Sequence, residues 1–522
     1  MTSLGNILEE LNTDVLLQIF DYLEPDGALF PLSMTSRAVR IATMPVLFSC
    51  CSITVKEPIN EGSFLPPYLW PYVRTLYLRD ECPDLFAMTN PHRKLKFATD
   101  PLLCGTISAQ FLRDALRSMP LLRSVHLMAC TLDIHGIGWD SIATILSAPQ
   151  LRSFTLGAYL LSPREAPSET CTDTLAPITT FRFDQPALHA SLLKYPAQQD
   201  TLAFVLPRLR HSLESLHLPS EVAPVAVLSQ TQWPRLRELS LTGEFDRSVG
   251  YPTPLASLFS GMSGLRILNL ALALRRGVSR KRLMLWPEGY ESWLPWPDLE
   301  SLTLSFPDPE DRIFAHLPPS LRRLSLRCTP HHCLHLWDQF DYRRYDSPIL
   351  YSSEMLEILT KISAPLLDHL QLEHLVDNAE DDLLRCIVDK FPSIGFLEVQ
   401  RFQTSHESVP VATVAERLSG LHSLRTLRAH LQPARSIPVH RNPRTIEEAS
   451  EIQGYYIERV AALYAVAAVL RSILPQPGIR LWLLQREDCG AAWRLFRKQD
   501  VAQGAQIEID PGVAAIIEVC GF

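Results

Sequence analysis

Leu122-Arg-Ser-Val125-His-Leu127 sets the architecture of this chain, because its pattern returns along most of the sequence. Apolar residues stand first, fourth and sixth. The last two lie two positions apart, so in a strand they share a face, and the residue between them takes the other face. The same pattern starts at Val73, Leu151, Ile178, Leu213, Leu236, Leu265, Leu299, Leu321, Leu367, Ile394 and Leu424. One copy means little, since leucine is common. Twelve copies, with starts 22 to 49 residues apart and about 32 on average, define a repeat. Several copies follow a helical stretch, as Ser108 to Met119 precedes Leu122 and Val411 to Leu418 precedes Leu424. The period therefore predicts a strand, a connection with a helix, and a strand again. One such unit cannot bury its leucines, whereas stacked units turn them into a continuous core with helices outside.

This repeat resembles the leucine-rich-repeat horseshoe, an α/β fold with parallel strands inside and helices on the convex side. The family's longer pattern continues with Asn or Cys and a further leucine, which the copy from Leu122 meets through Cys130 and Leu132. The other copies lack it, so irregular arcs of variable curvature are expected. Two long intervals, Arg79 to Ser118 and Arg327 to Ala364, read as insertions, and the proline-rich stretch from Leu161 to Pro177 as a surface loop. After about Leu431 the period fades. Arg444 to Leu474 carries a helical apolar stripe, and Leu481 to Leu484 and Gln506 to Ile509 read as short strands. The expected domains are a helical segment over residues 1–50, a repeat solenoid over 51–435 and a C-terminal cap over 436–522.

The N-terminal segment has a different period. In LNTDVLLQIFDYLEPDGALFPLSMTSRAVRIATMPVLF (residues 11–48), Leu11, Val15, Leu16, Ile19, Phe20 and Leu23 fall on one helical stripe. Asn12 or Thr13 can cap its start, and Glu24-Pro25-Asp26 ends it. Leu29 and Leu32 open a second helix, Ser33 to Ser36 interrupts, and Arg37 to Ala42 forms a third. Such a small trio buries too little apolar surface to be secure alone. The segment resembles the F-box, through Leu11, the run from Asp14 to Pro25, Leu32-Ser33, Thr35-Ser36-Arg37 and Arg40, with Asn12 where that family usually has proline. The resemblance implies a Skp-type adaptor, and through it a cullin, as partners. It places adaptor contacts at Leu11, Val15, Leu16, Ile19, Phe20, Leu23, Pro25 and Leu32. The implied function is a substrate-recognition subunit of a ubiquitin ligase, with a protein target held by the repeats. The competing expectation is a repeat scaffold that binds a partner without promoting ubiquitin transfer.

Composition fits a folded chain with such a role. The 522 residues are 46% hydrophobic and 20% charged. A net charge of −8 argues against a general nucleic-acid binder. Eleven cysteines, odd in number and irregularly spaced, suit a reducing compartment. With no basic leader before an apolar core and no apolar run long enough to span a bilayer, the expected location is cytoplasm, nucleus or both. No phosphate-binding loop or His-Glu-x-x-His pair occurs, and Gly261-Met-Ser263-Gly264 lacks the spacing of a nucleophile elbow. Neither catalysis nor a cofactor is expected. Cys328, His331, His332, Cys333 and His335 are good zinc-ligand types, but their crowding into eight residues reads as chance loop content. The basic run Arg275, Arg276, Arg280, Lys281 and Arg282 reads as a solvated loop, and Glu380-Asp381-Asp382 as a helix start. The favoured target-binding surface is the polar face of the repeat, formed by Tyr77, His126, Thr155, Arg182, His217, Ser240, Asn269, Thr303, Ser325, Gln371, Glu398 and Arg428, flanked by Arg79, Arg323 and Arg327. Among these, Arg182, His217, Arg323, Arg327, Gln371 and Arg428 are the candidate ligand contacts, since arginine forks suit an acidic or phosphorylated peptide.

Overall fold

Each of the repeats forms a strand, and the registers bring equivalent residues side by side. The computed structural model describes residues 11–23, 27–84, 94–129, 135–167, 174–184, 195–245, 254–277, 281–290, 296–329, 345–403, 410–431, 461–476, 478–487, 490–496 and 508–509. They belong to two compact units, Met1–Leu218 and Pro219–Phe522, between which the repeat body is divided.

In the first unit, β1 (Cys50–Val55), β2 (Thr75–Asp80), β3 (Ser124–Ala129), β5 (Ser153–Gly157), β7 (Thr180–Asp184) and β8 (Ser215–Pro219) pair in parallel. Their register aligns Cys51, Leu76, Val125, Phe154, Phe181 and Leu216, all buried. β4 (Gly136–Ile137) and β6 (Leu160–Leu161) form a separate short parallel pair. Consecutive strands are also tied where they begin. Arg123 and Ser124 both donate their amides to the Arg74 carbonyl, at 2.7 and 3.0 Å, and Arg152 and Ser153 do the same to Arg123.

The second unit repeats the device. β9 (Glu238–Glu244), β10 (Ile267–Ala273), β11 (Ser301–Leu304), β12 (Arg323–Leu326), β14 (His369–Leu375), β15 (Phe396–Phe402), β16 (Thr426–His430) and β17 (Arg480–Glu487) run parallel, with the short β13 (Leu350–Tyr351) beside β14. Leu239, Leu268, Leu302, Leu324, Leu370, Leu397, Leu427 and Leu481 form its buried row. β18 (Gly490–Phe496) and β19 (Glu508–Ile509) close this sheet in antiparallel fashion. The expected helix Val411–Leu418 occurs as such, and Ala109–Arg117 fills the other expected span, each turning buried leucines inward. A helix over 461–473 precedes β17 in the same way. Together these make a mixed α/β fold with long parallel sheets of leucine-rich character.

Two strands depart from expectation. β1 opens the repeat region ahead of the first expected copy at Val73, although Phe48, Cys51 and Ile53 satisfy the repeat spacing once cysteine counts as apolar. β17 continues the parallel rows rather than capping them, because Leu481 and Leu483 take the leucine positions beside Leu427 and Ala429.

The N-terminal segment is three helices, Thr13–Leu23, Leu29–Ser33 and Arg37–Leu47. Asn12 caps the first, its Oδ1 accepting the Asp14 amide at 3.1 Å. Ser36 caps the third by accepting from the Val39 amide at 3.2 Å. That helix runs past Ala42 and through Pro45, because Val46 is part of the core that Leu16, Phe20 and Leu29 complete. Packing there overrides the bond that proline removes.

Candidate functional site

The N-terminal helices leave large apolar side chains in solvent. Val15 is 43% exposed, Tyr22 80%, Phe30 66%, Met34 64% and Ile41 59%. They are half of the large hydrophobic residues that stand exposed among the described residues, so the apolar exposure is concentrated here. The expected adaptor contacts divide differently from the sequence reading. Leu16 and Phe20 are buried, and Leu11, Ile19 and Leu32 pack against them as parts of the trio's own core. Leu23 is half-buried, Val15 is exposed, and Pro25 lies outside the described residues. A helical stripe shows which residues share a face, but not whether that face meets a sister helix or a partner. Tyr22, Phe30, Met34 and Ile41 are not among the expected adaptor contacts, though each is an apolar residue off the buried stripe.

The polar faces follow the expected rows. In the first unit the register aligns Ser52, Tyr77, His126, Thr155, Arg182 and His217. Tyr77 and His126 stack with ring centres 4.4 Å apart. Burial, and then the charge of Arg182, lower the His126 pKa, so the ring favours its neutral form. Arg182 is exposed but pairs with Asp184, and His217 bonds the Ser215 hydroxyl at 3.1 Å.

In the second unit the row is Ser240, Asn269, Thr303, Ser325, Gln371, Glu398, Arg428 and Trp482. Three expected ligand contacts converge on Glu398, which is fully buried. Arg327 Nη1 donates to its Oε1 at 3.1 Å, Gln371 Nε2 to its Oε2 at 3.1 Å, and Arg428 Nη1 lies 3.9 Å from Oε2. Gln400 adds a bond at 2.9 Å. The Arg428 guanidinium also sits over Phe396, Trp482 and Trp493, at 5.7, 5.8 and 5.5 Å from their ring centres. Arg327, Gln371 and Arg428 are thus engaged within the fold. Arg323, two residues before Ser325 on the same face, is exposed. Spacing along a strand shows which way a side chain points; it does not show a carboxylate arriving from two strands away.

The basic run is likewise engaged in part, with Arg275 paired to Glu244 at 2.8 Å and Arg282 to Glu354 at 2.6 Å. Glu380, Asp381 and Asp382 do open a helix, Glu380–Lys390.

The sequence reading missed a third assembly, in the first unit. Cys82, Cys104 and His135 bring one ligand-type atom each to within 4.8 Å of one another. His135 Nε2 bonds Asp80 Oδ2, and Cys104 Sγ lies 3.5 Å from the same oxygen. A hydrogen bond from Cys104 holds the Cys82 thiol down to about 7, and the same bond pushes Cys104 well above its ordinary value. Burial alone would raise Asp80, but the bond to His135, its charge, and bonds from Tyr159 and the Cys82 amide hold the carboxyl below its ordinary value. Of the cluster weighed from sequence, Cys328 is buried and 331–335 lie outside the described residues.

No family model and no curated protein matches the chain. Among solved structures it is similar to a TLR13–ssRNA13 complex (13% identity, TM-score 0.28, over 73% of this chain and 44% of that one). It is also similar to an internalin, inlF, from Listeria monocytogenes (11% identity, TM-score 0.33, over 74% of this chain and 88% of that one). The chain spans less than half the length of the first. Among the described residues, no helix is long and apolar enough to cross a membrane.

Proposed function

We propose that this protein is a non-catalytic substrate receptor: its N-terminal helices dock on a Skp-type adaptor of a cullin ubiquitin ligase, and its repeat face holds a target protein. The observation that carries the reading is the exposure of Val15, Tyr22, Phe30, Met34 and Ile41 on a helical trio whose own core is already filled. Large apolar groups left in water on a small domain mark a surface for a partner. The F-box resemblance of the same segment supplies the kind of partner. The target surface is the polar face, where Arg323 is open to an acidic or phosphorylated segment while Arg327 and Arg428 hold Glu398. Receptors of this kind do no bond chemistry; they raise the local concentration of target lysines near a charged conjugating enzyme.

Substituting Tyr22, Phe30 and Met34 together by aspartate tests the docking surface without touching Leu16 or Phe20. Co-purification with a Skp-type adaptor should fall at least tenfold, as expected when aromatic anchors are lost, while the circular dichroism spectrum stays unchanged. Equal capture by the folded variant and the parent would refute the docking surface. Adaptor captured without cullin would favour the scaffold reading.

A further inference from the structure

The insertion between β2 and β3 is firmly held by hydrogen bonds. The Asp84 carboxylate accepts the amides of Lys96, Phe97 and Ala98 at 2.7, 2.8 and 2.8 Å. Cys104 donates its amide to the Gly136 carbonyl at 2.8 Å, and Gly136 returns one to Leu102 at 2.7 Å. These bonds fix three separated segments around one point. Cys82 follows the end of β2, Cys104 lies within the insertion, and His135 precedes β4.

We propose that Cys82, Cys104 and His135 bind a zinc ion, with the Asp80 carboxylate holding the His135 ring in place through its bond to Nε2. Three facts converge. The ligand atoms lie within 4.8 Å of one another, close to the ~3.5–3.8 Å edges that zinc–sulfur and zinc–nitrogen bonds near 2.3 and 2.0 Å impose on a tetrahedron. Cys82, His135 and Asp80 are buried, and His135 Nδ1 has no hydrogen-bond partner among the described residues. Thiolates and imidazole select zinc over magnesium or calcium, whose sites are built from oxygen. Unlike the Cys328–His335 run, these ligands come from separated parts of the chain, so they can converge from several sides. The ion would staple the insertion to the sheet. Each thiol loses its proton to solvent as the Zn–S bond forms, and no electron is transferred.

The full-length chain, purified under reducing conditions without chelator, should carry one zinc per chain by elemental analysis. After chelation, adding Co²⁺ alone should give a thiolate-to-cobalt charge-transfer band with tetrahedral d–d absorption. Alkylation mapped by peptide mass should then find Cys82 and Cys104 at least tenfold slower to react with metal than without. This mapping uses the parent protein, so it stands even if Cys82→Ser/Cys104→Ser does not fold. A folded double variant should lose the zinc and the cobalt spectrum together. Metal-free protein with no cobalt spectrum, protection confined to other cysteines, or a Cys82–Cys104 disulfide in the reduced preparation would each overturn the site.

Discussion

Glu398 shows how one buried carboxylate can occupy a set of side chains that would otherwise face a ligand. Its charge balances Arg327 and Arg428 across neighbouring strands, so Glu398→Gln keeps the shape but strands two cations. A fully buried pair broken this way costs several kcal/mol. Because Arg327 and Arg428 keep some contact with solvent, the expected loss is about 2 kcal/mol, read from the urea midpoint. An unchanged midpoint would show that the arginines find other partners. Arg323→Ala should leave that midpoint where it was and weaken target capture, which separates a binding role from a structural one. His369 gives a pH signature. It stacks on Phe396 with ring centres 3.9 Å apart. Burial lowers its pKa from 6.5 to about 4, with Arg323 and Arg327 acting the same way and Glu398 and Asp368 against it. The unfolded chain takes up that proton first, so its contribution is complete above pH 6.5 and is lost as pH falls toward 4. His369→Phe should flatten the stability profile across that window. A profile identical to the parent's would mean that other groups set the acid limb.

Elements here are set by caps and close approaches as much as by period. The third helix starts where Ser36 accepts the Val39 amide, which gives a physical reason for the serine in the F-box-like Thr35-Ser36-Arg37 run. Ser36→Ala should cost about 1 kcal/mol in chemical denaturation, and no change would show the helix start held by packing alone. Gly261 sits where two connections touch, since an added Cβ would meet the Thr231 carbonyl oxygen at 2.3 Å. That oxygen is backbone and cannot swing aside. Gly261→Ala should therefore destabilise by on the order of 1–3 kcal/mol, and thermal melting would show it. Turns at 260–261 and 263–264 match the reading of this stretch as a turn.

The whole molecule must manage the apolar groups its N-terminal helices leave in water. Without a partner they favour self-association. The parent protein alone should show a light-scattering mass that rises with concentration, and Tyr22→Ser/Phe30→Ser/Met34→Ser should stay monomeric. Identical behaviour of the two would remove self-association as a consequence of that surface. The described sheets explain why so degenerate a repeat suffices. Core rows need only an apolar residue in register, so Phe154, Phe181 and Cys51 serve where leucine is usual, and the backbone bonds at each strand start are indifferent to side chain.

The periodic part of this protein was legible from residues alone: the repeat strands, the helices before β3 and β16, and the polar rows. Period two and period 3.6 are local properties, and burial of one face enforces them wherever they occur. What needed the tertiary structure was every meeting between residues far apart in sequence. Leu16 and Phe20 turned out to fill a core rather than face a partner, and Glu398 drew in Arg327, Gln371 and Arg428. Cys82, Cys104 and His135 came together from three segments. Spacing carries no information about such encounters, because they are decided by which connections cross and which side chains the packed core leaves room for.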